Sequence, residues 1–138
     1  MTTLAEVREF LATQFPQTKG FVERVGHLSA TVRHPVGFDE LRPGGTVSGP
    51  VLMATADLAL YVAILGTIGI VPLTVTTNLN INFLRKPAAD RDIIAECTLL
   101  KVGKTLAVGE VALFSAGFPE HVAHAVGTYS IPRVVTTP

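Results

Sequence analysis

Apolar positions follow three different rhythms along the chain. From Leu4 to Leu11 they recur at helical spacing, with Leu4, Val7, Phe10 and Leu11 on one face and Glu6, Arg8 and Glu9 interrupting the rest. This predicts a short amphipathic helix over residues 1–15, capped by Thr2 or Thr3. From Val51 to Val71 (VLMATADLALYVAILGTIGIV) they run almost unbroken between Pro50 and Pro72. A helix apolar all round is either a membrane span or a core element. Asp57 inside the run, flanks without Lys/Arg asymmetry and the strand-like sequence that follows favour the core element. Beyond Pro72 the period falls to two, which predicts strands over Thr74–Phe83, Asp92–Val102, Thr105–Ser115 and Val122–Ile131. Gly103-Lys104 marks a hairpin between the second and third of these. An earlier strand is expected through Val25–Val32.

The order helix, strand, loop, buried helix, four strands predicts an α+β fold with a curled antiparallel sheet wrapped around the long central apolar helix. One helix and a flat sheet leave such a helix partly uncovered, so the sheet is expected to curl and a second subunit to complete the cover. The whole of 1–138 reads as a single domain, with a tail at 133–138. The Pro- and Gly-rich stretch His34–Pro50 is the long connection, and it leads into the start of the apolar helix; ordered loops of this length tend to be binding loops.

Composition narrows the function. Hydrophobic residues make up 48% and charged residues 16%, more apolar material than a domain this small usually hides, and Val51–Val71 holds much of it. Eleven Lys+Arg balance eleven Asp+Glu, and there is no Trp. No broad field or stacking platform exists to gather nucleic acid or anionic lipid, so neither nucleic acid nor membrane is an expected partner. The single Cys97 excludes an intramolecular disulfide or a Cys-based metal cluster and fits a reducing, cytoplasmic location; the N-terminus lacks the continuous apolar core of a secretion signal. His121 and His124 sit three apart on a predicted strand and so face opposite ways, which argues against a shared metal. His34, at the loop entrance, is the one histidine retained as a remote site candidate.

SGPVLMATAD at the helix start and TTNLNINFLRKP on the strand after it resemble the hotdog-fold acyl-CoA thioesterases of the phenylacetate-degradation (PaaI-like) type, over roughly Gly20–Ile131. In that family the helix start reads His-Gly-Gly with an acid eight residues beyond the first Gly, and the strand carries a variant of D-L-N-I-N-F-L-R-P. Gly49 and Asp57 keep the spacing. Leu79 to Arg85 match the strand motif, with Asn78 at the Asp position and Lys86 inserted before Pro87. Ser48 stands in place of the motif His and Pro50 in place of the second Gly, removing one N–H from the helix entrance.

The resemblance implies hydrolysis of acyl-CoA thioesters by a homodimer or homotetramer, without metal or organic cofactor. Thioester hydrolysis needs a polarised carbonyl and a carboxylate that attacks it or activates water. Gly49 N–H, at the positive end of a helix, suits the first task, and Asp57, poorly hydrated among apolar neighbours, suits the second. Thr76 or Thr77 falls where relatives hold the attacking water, and Thr76 is favoured. Eight helical residues span about 12 Å, so Gly49 and Asp57 of one chain do not both reach one carbonyl. Two subunits are required, as in the family, where the Gly of one chain faces the acid of the other. Ser48 reads equally as N-cap or substrate contact. Tyr61, one turn after Asp57, is a candidate substrate contact; on the bland reading of the acid, a neighbouring Thr or Tyr such as Tyr61 simply hydrogen-bonds to it. Arg85, Lys86, Lys101 and Lys104 are the cations available to the phosphates of coenzyme A. The two departures at the helix start also fit a non-catalytic acyl-CoA- or lipid-binding protein of the same fold; a dehydratase ranks lower, because it needs a His at the helix start.

Overall fold

Ser48 ends the long connection and starts the central helix: its backbone is extended, and its Oγ accepts from Val51 N–H at 3.4 Å. The helix α2 then runs Gly49–Ile68, with Pro50 in the first turn, where a missing N–H costs no intrahelical bond. Leu52, Ala56, Leu60, Ile64 and Leu65 are among its fully enclosed side chains. α2 has the length and apolarity to cross a bilayer, but it is the core helix of this fold.

In the computed structural model, which describes residues 2–133, the remaining elements are α1 (Leu4–Gln14), β1 (Phe21–Gly26), β2 (Ser29–His34), a one-turn 3-10 segment (Phe38–Glu40), β3 (Leu41–Arg42), β4 (Thr46–Val47), β5 (Val75–Phe83), β6 (Ile93–Val102), β7 (Leu106–Ser115) and β8 (His121–Ser130). Of the expected tail at 133–138, all but Arg133 lies outside the described residues. Six strands form one antiparallel sheet in the order β1-β2-β6-β7-β8-β5. Register shifts in β1, β5, β6 and between β7 and β8 add local bends, and the sheet curls around α2. The chain therefore enters α2 from the β2 side and leaves it at the far edge, where β5 pairs only with β8.

One close contact of α2 with this sheet involves two glycines. Gly109 of β7 and Gly127 of β8 are directly opposed, and Leu60 lies over both: a Cβ built at either glycine would come within 2.8 Å and 2.4 Å of its two methyls. A side chain at either glycine would force Leu60 out of this position. Truncating Leu60 would leave a cavity costing about 2–5 kcal/mol.

The expected strand at Val25–Val32 is two strands. The chain reverses at His27-Leu28 to form a hairpin, with Leu28 in the left-handed region (φ 52°) and its carbonyl held by Leu99 N–H at 2.8 Å. No Gly or Asn occupies that position to advertise the turn, which is why the pattern reads through it. α1 is capped by Thr3, with Glu6 completing a capping box, and it buries Val7 and Leu11. Thr2 caps the other helix instead: its N–H reaches Gly66 O at 3.0 Å and its hydroxyl reaches Leu65 O at 2.8 Å, satisfying carbonyls at the end of α2.

Candidate active site

The enclosure of α2 is incomplete along one stripe. Pro50, Met53 and Ala54 are exposed and Asp57 and Tyr61 half-buried, a spacing that follows one helix face. Asp57 lies midway along this stripe, and two hydroxyls from the sheet meet it there. Thr76 Oγ1 donates to Asp57 Oδ1 at 2.7 Å, and the Tyr129 hydroxyl donates to the same oxygen at 2.5 Å while lying 2.8 Å from the Asp57 main-chain carbonyl. The β5–β8 register places Thr76 directly opposite Tyr129, so both hydroxyls approach from one sheet face. Burial first, and then the neighbouring Asp57 carboxylate, push the Tyr129 phenol well above its ordinary pKa, which keeps it a proton donor. Oδ1 thus takes two donors and Oδ2 takes none from the described side chains.

Tyr61 does not hold the acid. Its hydroxyl donates to Pro72 O at 2.9 Å, tying α2 to the connection that leads into β5, and its ring stacks on Tyr129 at 6.2 Å between centroids. The neighbouring Thr and Tyr that do hold the acid are Thr76 and Tyr129. The available signal was a hydroxyl on the inward-facing register of Ala123, Ala125 and Gly127.

The helix entrance is arranged differently. Gly49 opens α2 against Phe83 of β5, whose ring carbon lies 3.3 Å from where a Cβ would stand. As the first helical residue, Gly49 has an N–H with no intrahelical acceptor; Pro50 has none to offer, and that of Val51 goes to Ser48 Oγ. Ser48 is thus the N-cap. Ser48 N–H donates to Glu40 O at 2.9 Å, and the Glu40 carboxylate accepts from Gly37 N–H at 2.8 Å. Asp92 pins the same loop from the sheet, accepting from Val36 N–H at 3.0 Å. Both carboxyls are held below their ordinary pKa, chiefly by these backbone N–H groups, with Lys19 assisting at Glu40 and Arg33 at Asp92.

The other sequence candidates separate. Arg85 is engaged by Glu120 at 2.9 Å and by His121 O at 2.6 Å. Lys86 follows it past the end of β5, beyond the Phe83 end that packs on Gly49, and has no ion pair among the described residues. Lys104 is on the β6–β7 turn at the opposite end of the sheet, next to the Val75 end of β5, and is likewise unpaired there. Asn78 is exposed opposite Thr128 of β8. His34 is buried and Nε2 has no hydrogen bond, lying 3.7 Å from Glu40 Oε2. Asp57, Thr76, Tyr61, Tyr129 and His34 all border a cavity of about 870 Å³.

A family model for the thioesterase superfamily matches residues 44–117, which span the end of the loop with β4, then α2 and β5 to β7. The chain belongs to the thioesterase superfamily. Among solved structures it is similar to a Silicibacter sp. TM1040 protein provisionally described as a thioesterase, at 40% identity over 96% of this chain and 94% of that one, with TM-score 0.89. Zebrafish thioesterase superfamily member 2 aligns at 22% identity over 96% and 100%, TM-score 0.83. A mutant of the phenylacetic acid degradation protein PaaI from Thermus thermophilus aligns at 22% over 90% and 99%, TM-score 0.72. These last two share the fold: two helices and a large antiparallel sheet wrapped around a long apolar helix, the PaaI-like hotdog architecture. No match is found among curated proteins. Superfamily membership supports thioester hydrolysis as the general chemistry.

Proposed function

We propose that the chain hydrolyses acyl-CoA thioesters as a single-domain cytoplasmic homodimer, or a tetramer built from such dimers. The observation that carries this reading is the convergence of Thr76 and Tyr129 on one oxygen of Asp57, on the uncovered stripe of the core helix. With Oδ1 occupied, Oδ2 is the oxygen available to accept a proton from water. Thr76 spends its proton on Asp57 and keeps lone pairs to hold that water. The water oxygen attacks the thioester carbon, the oxyanion takes the Gly49 N–H at the positive end of α2, and the C–S bond breaks. The proton held by Asp57 then goes to the thiolate, giving free acid and coenzyme A.

The dimer is supported by the sheet edge. The outer side of β5 lacks a strand partner among the described residues, and a two-fold pairing of two β5 strands would be antiparallel. The Val75–Thr76 end of one copy would then lie beside the Phe83 end of the other, bringing the Gly49 of one subunit toward the Asp57 of its partner. The same pairing brings Lys104 of one chain to the sheet end that carries Lys86 of the other, two free cations for a polyphosphate. Ser48 and Pro50 shape the entrance for the thioester.

The test is thiol release from short, medium, long and aromatic acyl-CoAs. Wild type is expected to turn over at least one class, and Asp57→Asn to lose at least about a hundredfold in kcat while keeping its melting temperature within a few degrees. Near-wild-type turnover by Asp57→Asn overturns the mechanism. Tight binding of acyl-CoA with no thiol release by wild type favours the non-catalytic acyl-CoA-binding alternative, which the Pro at position 50 keeps in play.

A further inference from the structure

The cavity beside Asp57 is walled by the chain's own N-terminal helix. From Asp57 outward, Tyr129, Tyr61 and Phe10 form an aromatic row: Tyr129 and Tyr61 stack at 6.2 Å, and the Phe10 ring of α1 lies 6.3 Å from Tyr61. Phe15, at the C-terminal cap of α1, continues the wall, and Leu58 of α2 borders the same space. The segment after α1 closes the far side with Gln17, Thr18 and Lys19. Lys19 is the cation of this wall, and it is engaged by Glu40 at 3.4 Å and Asp39 at 3.6 Å. The buried His34 lies against Glu40 as well.

Taking the acyl group to lie in this cavity, we propose that Phe10 and Phe15 of α1 set the chain length accepted and that the end of the cavity they form takes an uncharged, apolar terminus. The inference rests on the reading that Asp57 marks the reacting carbonyl. A chain leaving that carbonyl along the aromatic row reaches α1, and the ring at its end is Phe10. The volume of about 870 Å³ falls in the ~300–1,000 Å³ range of small-molecule sites. Charge decides against a carboxylate-terminated chain, because Lys19, the cation of this wall, is already engaged by Glu40 and Asp39 and has little charge left to offer an added anion. α1 is held by side chains and by the Thr2 hydrogen bonds to the end of α2, so it can exchange the residue at position 10 and keep its place.

The test separates the pocket from the chemistry by reading binding. Affinities of a saturated acyl-CoA series, lengthened two carbons at a time, are measured calorimetrically on Asp57→Asn, which is expected to bind without turnover. Each added methylene buried along the row should tighten Kd about fourfold until the chain meets Phe10, after which the gain stops. In an Asp57→Asn background, Phe10→Ala should move that stop to longer chains and Phe10→Trp to shorter ones, with short-chain affinity and melting temperature held close to the parent. Opposite shifts from the two substitutions do not follow from loosened packing. A stop that stays fixed in both folded variants, a carboxylate-terminated chain that binds as tightly as the apolar chain of equal length, or no gain with length overturns the proposal. A Phe10-dependent length series in a protein whose wild type releases no thiol would sustain the pocket while sinking the hydrolase reading.

Discussion

The middle and the beginning of α2 are built on opposite plans. At the middle, Asp57 is gripped by two neutral hydroxyls from neighbouring strands, and the register of β5 on β8 brings them there. At the beginning, Gly49 is left open, and what holds it is carboxylate chemistry one layer back: Glu40 on Gly37 and Asp92 on Val36, fixing the loop that delivers Ser48. One region is assembled and lacks a donor for an oxyanion; the other offers that donor and lacks an acid. About 12 Å of helix separates them, so within one chain they are two halves that do not meet. Under the proposed mechanism each subunit carries complementary pieces, and assembly would be part of the chemistry.

The sharpest way to break that comparison is complementation. Asp57→Asn and Gly49→Val should each fall to a small fraction of wild-type turnover, Gly49→Val because its side chain collides with Phe83 and screens the N–H. Unfolded together and refolded as a one-to-one mixture, half the dimers are mixed, and each mixed dimer holds one site with both native residues. Recovery to about a quarter of wild-type activity is expected for a two-fold dimer. No recovery above the mean of the two parents would place both residues in the same subunit's site and remove the argument for a shared interface.

A smaller effect sharpens the acid half alone. Tyr129→Phe removes the donor that spans the Asp57 side chain and main chain, a bond to a charged acceptor of the kind worth about 1.5–3 kcal/mol. The expected outcome is a loss of roughly ten- to a hundredfold in kcat with KM little changed, read by steady-state kinetics. A change confined to KM would make Tyr129 part of the substrate pocket and not of the acid's support.

The smallest effect concerns the entrance. The Glu40 and Asp92 carboxyls have folded-state pKa values below their unfolded ones, so the native state binds fewer protons across that interval. Their stabilisation is complete above the ordinary carboxylate range and is lost as pH falls through the depressed values. Melting temperature should hold from neutrality down to about pH 4.5 and then decline. Glu40→Gln should lower the neutral-pH plateau slightly and shallow the decline. A decline of unchanged steepness would mean that other carboxylates control acid stability.

How much of this was legible in the sequence follows from the range of the interactions. The strands from Thr74 onward and the enclosed helix declare themselves through local periodicity; the structure moves the strand ends by at most one residue, and shifts the helix from Val51–Val71 to Gly49–Ile68. The hairpin at His27-Leu28 was hidden because a leucine occupies the left-handed turn position and a contact from β6 stabilises it. Asp57 stood out by contrast with its surroundings, and Thr76 by its place in a motif. Tyr129 is 72 residues from Asp57 in sequence, and no short-range pattern links them. Only the pairing of β5 with β8 puts the phenol on the acid.

Leu60 seated over Gly109 and Gly127 has a reach beyond packing. It is three residues past Asp57, so the slot that receives it acts as a keyway, fixing both the rotation and the axial travel of the shaft on which the acid is mounted. Two missing side chains on the sheet thereby bear on where the acid sits, and Thr76 and Tyr129 orient it. α1 lies away from this slot, so under the proposed acyl pocket a change at Phe10 would alter what the site accepts and leave Leu60 on its two glycines.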